Sequence, residues 1–304
     1  MRGFTLAFWS KENENLKMSQ IYRLLPTLRI HSWGGFGSQL FTAYVILKVQ
    51  KRYPGRRIKV IVHTSGVTRR VSELDFKILN VKEIQVDDFN NIEMNHKSRK
   101  SSQQISRNTI HSLKHRLLLI LVWLRFIQTA DTEDSFRLVS FWTLALRGHY
   151  TKLTLEKPLV QALYEALFSL SPKASNLNPD LVIHYRLGDL LRLNDKRPIS
   201  VERVEGVLEK FQMNSRPTVL LSDSSKQEVA KFLETSNFLK FSMPVNDTPI
   251  TTLKLCIQAK TFIGTSAKIS LWAAIFRFFI LNKDSFLPRE LYWSHSTGLD
   301  IEWY

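Results

Sequence analysis

The stretch "DLVIHYRLGDLL" (180–191) begins as a buried strand and ends as something else. Leu181, Val182 and Ile183 form an apolar run, and His184, Tyr185, Arg186, Gly188 and Asp189 crowd in directly behind it. In open parallel sheets ligands bind beyond the carboxyl ends of the strands, so charged and titratable groups at such an end mark a candidate site. Two later stretches repeat the pattern: "TVLLSDSS" (218–225) and "TFIGTSA" (261–267) are apolar runs that end in polar or small residues. Helices are predicted at 200–211, 225–236 and 266–281, so this half alternates strand and helix, the signature of a parallel α/β sheet.

The same rhythm appears upstream. "LLPTLRIHSW" (24–33) reads as a strand, "GGFGSQ" (34–39) as a glycine-rich turn and "LFTAYVILKVQKRY" (40–53) as a helix. The helix carries apolar residues at Leu40, Phe41, Tyr44, Val45 and Leu47, close to a 3.6-residue period, and Pro54–Gly55 stops it. "RIKVIVH" (57–63) is the next strand. Residues 94–130 contain no Asp or Glu, seven Lys or Arg and three His, and read as a basic insertion: a polar loop, then a helix over 109–128. The Pro-, Ser- and Asn-rich "SPKASNLNPD" (171–180) is the expected boundary between an N-terminal domain, 1–170, and a C-terminal domain, 171–304.

Bulk properties set the outer limits. A chain of 304 residues with 44% hydrophobic content can bury a large core. Its 43 Lys and Arg against 27 Asp and Glu give a net charge of +16, which attracts an anionic partner: nucleic acid, phospholipid or a phosphate-bearing substrate. One cysteine, Cys256, excludes an internal disulfide framework. The opening "MRGFTLAFWSKENEN" lacks a full secretory h-region, and the most apolar stretch, "LLLILVWL" (117–124), is far shorter than the roughly 20 residues a membrane span needs. The expectation is a cytosolic protein.

Arg186 offers a planar fork of donors that matches two phosphate oxygens, and Gly188 would let a bulky anion come close. Gly264, Thr265, Ser266 and Ala267 combine a glycine, two hydroxyls and the amides of a helix start, an anion site of another kind. Asp223, behind Ser222 at a strand end, could accept hydrogen bonds from the donor edge of a base. Plainer readings exist for each: an ion pair between Arg186 and Asp189, or a helix N-cap in "SDSS". Taken together, the three strand ends fit a nucleoside diphosphate.

The order of these motifs resembles the fucosyltransferase superfamily that uses GDP-fucose, closest to the bacterial α-1,2 group. That family carries a "GGxGNQ"-like turn before a helix, an "HxRxGD"-like strand end, an "SD" strand end and a serine-rich "SSxxSxW"-like turn. Here they stand as "GGFGSQLF" (34–41), "HYRLGD" (184–189), "LLSDSS" (220–225) and "TFIGTSAKISLWAA" (261–274). "DTPITTLKLCIQAKTFIG" (247–264) resembles the helix before the last motif, and "LRGHYT" (146–151) a strand of the bacterial group. Leu187 stands where many members have a second arginine, and Ser38 where most have Asn.

The resemblance implies two Rossmann-like domains of the GT-B type with the active site in the cleft between them. It implies an inverting transferase that moves fucose from GDP-fucose to a glycan acceptor, free or on a lipid carrier, in surface polysaccharide (O-antigen or capsule) synthesis. Arg186 would grip the β-phosphate and His184 line the same pocket; Asp223 would bind guanine; Thr265, Ser266 and Ala267 would hold the phosphates; Gly35, Gly37 and Gln39 would form the facing wall. No D-x-D triplet occurs in the chain, so no metal or other cofactor is expected and the arginine, hydroxyls and amides would stabilise the leaving diphosphate. The general base is open, with His149 as a candidate. The basic insertion suggests an anionic membrane surface as partner, hence a peripheral protein on the inner face of the membrane. The rival donors are other GDP-deoxysugars. A nucleic-acid-binding protein is the rival of another class, disfavoured because no helix-turn-helix, zinc or RNA-recognition signature appears.

Overall fold

Apolar runs that alternate with amphipathic segments can bury both faces of a sheet only if the strands run parallel with helices laid across them. In the computed structural model both halves of the chain solve the problem in this way. The structure describes residues 20–64, 72–86, 117, 120–169, 179–188, 190–192, 197–213, 216–234, 241–243, 248–294, 299 and 301–304. It divides into two compact units, Met1–Thr154 and Leu155–Tyr304.

Unit 1 holds β1 (Leu28–Trp33), α1 (Phe36–Arg52), β2 (Ile58–His63), β3 (Lys82–Val86), β4 (Ile127–Thr129), α2 (Glu133–Arg137) and β5 (Ala145–Arg147). The sheet order is β3-β2-β1-β5-β4, with every pairing parallel. Helix α1 is buried almost all round, Leu40, Phe41, Tyr44, Val45 and Ile46 included, as expected of a helix apolar on every face. Each such side chain removed from water stabilises the unit by roughly 1.5–3 kcal/mol. The one buried cation of this helix, Lys48, lies 2.7 Å from the Glu133 carboxylate and over the Phe136 ring.

Unit 2 holds α3 (Lys157–Phe168), β6 (Leu181–Tyr185), α4 (Val201–Lys210), β7 (Thr218–Ser222), α5 (Lys226–Phe232), β8 (Phe241–Ser242), α6 (Pro249–Gln258), β9 (Thr261–Gly264), α7 (Lys268–Phe276), β10 (Phe286–Leu287) and β11 (Glu302–Trp303). Its order is β11-β10-β9-β6-β7-β8, again all parallel. Strand β6 is buried at every position and α7 from Ser270 to Phe276. The α/β class with two Rossmann-like domains, expected above, is therefore what the chain adopts.

Three expectations need correction. The domain boundary falls at 154/155, before α3, because Tyr164 sets its ring against Phe276 of α7, 5.6 Å between centroids; most of 171–180 lies outside the described residues. The glycine-rich stretch is not all turn, since α1 already begins at Phe36 and only Gly34 and Gly35 precede it. Within the basic insertion, 94–116 lies outside the described residues, and the helix expected to run to 128 instead stops where Arg125 adopts a φ of 61°. Ile127–Thr129 is strand β4, paired with β5.

Each sheet has one point where the chain reverses its direction of growth: between β1 and β5 in unit 1, and between β6 and β9 in unit 2. Ligands of open parallel sheets favour the carboxyl side of such switch points, because the connections there leave in opposite directions and open a crevice.

Candidate functional site

At the unit 2 switch point β6 and β9 run in register, with His184 opposite Gly264. The two strand ends are stitched together by Thr265. Its amide and its hydroxyl both donate to the His184 carbonyl, at 3.0 and 3.1 Å, and the same hydroxyl accepts from the Arg186 amide at 2.8 Å. The hydroxyl of Thr265 is thus committed within the protein and positions Arg186. The Arg186 guanidinium reaches the Ser266 carbonyl at 3.3 Å, just before α7. Ala267 is the N-cap of α7 and no side chain caps that helix. The permanent cation and the positive end of a helix dipole therefore stand together.

His184 is buried and its Nδ1 lies 2.7 Å from Ser270 Oγ on the first turn of α7. Burial pushes its pKa down to about 4; the Asp223 carboxylate opposes that shift and the Arg186 guanidinium reinforces it. The ring is neutral at physiological pH and adds no charge to the site. Gly264 owes its place to this contact: a Cβ there would sit 2.6 Å from Ser270 Cβ and 2.7 Å from a Leu287 methyl, so glycine lets α7 close on the sheet.

Asp223 has a structural task besides the contact its position suggests. Its Oδ1 accepts from the amides of Leu187 and Gly188, both at 2.9 Å, and locks the turn that follows β6. A Cβ on Gly188 would come within 2.6 Å of the other carboxylate oxygen. Leu187 is fully buried in the apolar core of unit 2. Ser222 Oγ accepts from the Ser224 amide, and Ser225 caps α5 in a reciprocal box with Glu228. "SDSS" thus combines a helix cap with a carboxylate turned back to the neighbouring strand end. Asp189 lies outside the described residues.

The residues expected to form a facing wall are in unit 1, and two of them are internal. Gly34 has a φ of 86°, a conformation that favours glycine, and Gly35 is the N-cap of α1. Gly37 is buried in the first turn of that helix. Gln39 is fully buried; it donates to the Gly34 carbonyl at 3.1 Å and accepts from the amides of Glu73 and Leu74 at 3.0 and 2.8 Å. The Glu73 carboxylate accepts from the Phe36 amide, which places a resident anion at the N-terminus of α1. The "GGFGSQ" motif therefore works as a clasp on residues 73 and 74. His149, also in unit 1, is exposed; its amide donates to Asp131 Oδ1 at 2.6 Å, and its ring makes no hydrogen bond among the described residues.

Sequence reasoning missed Ser270, Glu73 and Asp131, whose roles depend on a neighbouring strand or loop. It also passed over His31 and His63, although "RIHSW" and "VIVH" show the same imidazole at the close of an apolar run as "VIHYR".

No protein-family model matches the chain, and no curated protein sequence does. Among solved structures it is similar to E. coli heptosyltransferase WaaC with ADP-2-deoxy-2-fluoro heptose, at 13% identity over 91% of this chain and 92% of that one, TM-score 0.45. A glycosyl transferase family 9 protein from Veillonella parvula gives 10% identity, 92% and 86% coverage and a TM-score of 0.46. POFUT1 in complex with GDP gives 11%, 92% and 98%, and 0.42.

Proposed function

We propose that the chain is a metal-independent, inverting glycosyltransferase that moves fucose from GDP-fucose to a glycan acceptor in surface polysaccharide synthesis. The observation that carries this reading is the union, at the β6/β9 switch point, of the Arg186 guanidinium with the side-chain-free N-terminus of α7. Both favour a diphosphate, and they favour it more as it gains charge on leaving the sugar, which is transition-state stabilisation by preorganised dipoles and a fixed cation. Fixing Arg186 through Thr265 removes reorganisation cost from that step. The motif resemblance names guanosine and fucose; other GDP-deoxysugars use the same diphosphate chemistry.

Calorimetry with GDP in excess chelator tests the reading: binding is expected, and its absence, or its loss on adding chelator, overturns it. Hydrolysis or transfer across a panel of nucleotide sugars then selects the donor. A protein that ignores GDP and instead binds nucleic acid with steep salt dependence would be the rival class.

The acceptor side is proposed to work at an anionic membrane surface, from a cytoplasmic location. No helix among the described residues is long and apolar enough to cross a membrane. Trp123 is 80% exposed, and Leu117, Ile120, Leu124 and Trp142 are exposed too. Arg125 follows this apolar group, and the Thr143 hydroxyl donates to its carbonyl, tying the segment of Trp142 to it. Aromatic and aliphatic side chains beside cations suit an anionic headgroup layer. Cosedimentation with vesicles of anionic phospholipid should exceed that with phosphatidylcholine and weaken with salt; equal binding to both, or none, removes the membrane from the proposal.

A further inference from the structure

Within unit 2, the peptide that joins Gly264 to Thr265 at the end of β9 is held from two sides. Its N–H, on Thr265, donates to the His184 carbonyl of β6 at 3.0 Å. Its C=O, on Gly264, accepts from the Tyr304 hydroxyl at 2.9 Å. Tyr304 directly follows β11, which lies two strands away from β9 at the edge of the sheet. A side chain from that edge therefore reaches the backbone of the candidate diphosphate site.

The register explains why this carbonyl needs a side chain. Phe286 of β10 pairs with Ile263 of β9. Successive residues of a strand turn their polar groups to alternate neighbours, so with Thr265 facing β6, the Gly264 carbonyl faces β10. The donor due opposite it is residue 288, and Pro288 has no N–H. A buried carbonyl left unpaired is costly, and the Tyr304 hydroxyl fills the gap. Tyr304 is itself well anchored. Its amide donates to the Leu287 carbonyl at 3.0 Å, and its carbonyl accepts from the Arg289 amide at 3.0 Å and the Arg203 guanidinium at 2.9 Å. That guanidinium also pairs with Glu290 and stands 5.6 Å from the Tyr304 ring centre. Burial raises the pKa of the phenol above its ordinary value against the pull of Arg203, so the hydroxyl stays a donor at physiological pH.

The contact matters because Thr265 fixes the Arg186 amide through its own hydroxyl. A rotation of the Gly264–Thr265 peptide would shift that hydroxyl and the backbone that carries the cation. Gly264 must be glycine to admit α7, and glycine resists such a rotation less than any other residue. We infer that Tyr304 is a positioning residue of the diphosphate site, its hydroxyl fixing the Gly264–Thr265 peptide and, through Thr265, the Arg186 backbone. For its ligand the inference rests on the transferase reading above; the contact itself does not depend on it.

The test uses the full chain, with GDP as the probe. Tyr304→Phe, which removes only the hydroxyl, should weaken GDP binding by calorimetry about three- to tenfold, the worth of one hydrogen bond, and speed hydrogen exchange of the Thr265 amide by a similar factor. Para-aminophenylalanine in place of Tyr304, which donates from an N–H, should restore both. Ile301→Val trims a buried side chain of the same segment and leaves the hydroxyl in place; it should lower the urea midpoint yet keep wild-type GDP affinity and Thr265 exchange. Wild-type GDP affinity or unchanged Thr265 exchange in Tyr304→Phe would overturn the inference. An equal loss of affinity in Ile301→Val would overturn it too, since the effect would then be one of stability alone. A wild type that does not bind GDP sinks the transferase reading instead, and Thr265 exchange in Tyr304→Phe then decides by itself whether Tyr304 holds the peptide.

Discussion

"RIHSW" (29–33) and "VIHYR" (182–186) are nearly the same sentence in two units, and the structure gives them different meanings. In unit 2, glycine at 264 lets α7 approach until Ser270 meets His184, and burial holds that imidazole neutral. In unit 1 the neighbouring strand presents His63 instead, and His31 stays half-buried in a pair. A second parallel sharpens the contrast. Asp131 accepts from the amides of His149 and Tyr150 after β5, as Asp223 accepts from Leu187 and Gly188 after β6, and in both a Cβ on the turn's glycine would strike the carboxylate, at 2.7 Å for Gly148 and 2.6 Å for Gly188. The clamp is common to the two sheets. What differs is the side chain beside each clamp: the Arg186 guanidinium in unit 2 and the hydrogen-bonded His31–His63 pair in unit 1.

Four measurements would break or sharpen that contrast, starting with the largest effect. Arg186→Ala should lower donor turnover by about 10²–10³-fold, the cost of removing one preorganised oxyanion donor, with the fold intact by circular dichroism. Arg186→Lys should not restore it, because a point charge cannot reproduce the guanidinium fork. Arg147→Ala, at the matching edge of unit 1, should cost only about 0.5–1 kcal/mol of stability through its contact with Trp33.

The second measurement is stability against pH. The His184 pKa is about 4 in the folded chain and near 6.5 when unfolded, so between these values the unfolded state binds more protons. Stability should be at its full value above pH 6.5 and fall by about 3 kcal/mol as the pH drops to 4. Denaturant titrations at a series of pH values check this, and His184→Gln should flatten the slope in that window.

The clamps come third. Gly148→Ala adds a Cβ against Asp131 at a φ of 146°, whereas Gly188→Ala adds only the clash with Asp223. Urea midpoints should show losses of about 2–3 kcal/mol for the first and about 1–2 for the second. The fourth measurement is Ser270→Ala, which removes the Oγ beside the buried Nδ1 of His184 and should cost about 1–2 kcal/mol in the same titration.

Much of this architecture was legible in the chain. Apolar runs of strand length, broken by glycine and followed by helical periodicity, announced two parallel sheets, and β1, β2, β6, β7 and β9 lie where those runs lie. The crowding of polar residues at 184–189 and 264–267 correctly pointed to strand ends that meet. The residues of "GGFGSQ" were harder to read, because a glycine-rich start serves equally to receive an anionic ligand or a carboxylate from the chain's own loop, and here Glu73 occupies it. The helix expected up to 128 failed for a related reason: apolar content alone does not separate a buried helix from a short strand, and pairing with β5 decided the matter.

The sequence by itself determined the alternation of elements, the two-unit plan and the chemistry available at each strand end, since these follow from local periodicity and residue type. Only the tertiary structure decided which of those groups meet. Strand order in a parallel sheet is set by which faces can be buried against which helices, over separations that no local pattern encodes. It placed β9 beside β6, so that Arg186 finds Ser266, and β2 beside β1, so that His31 finds His63.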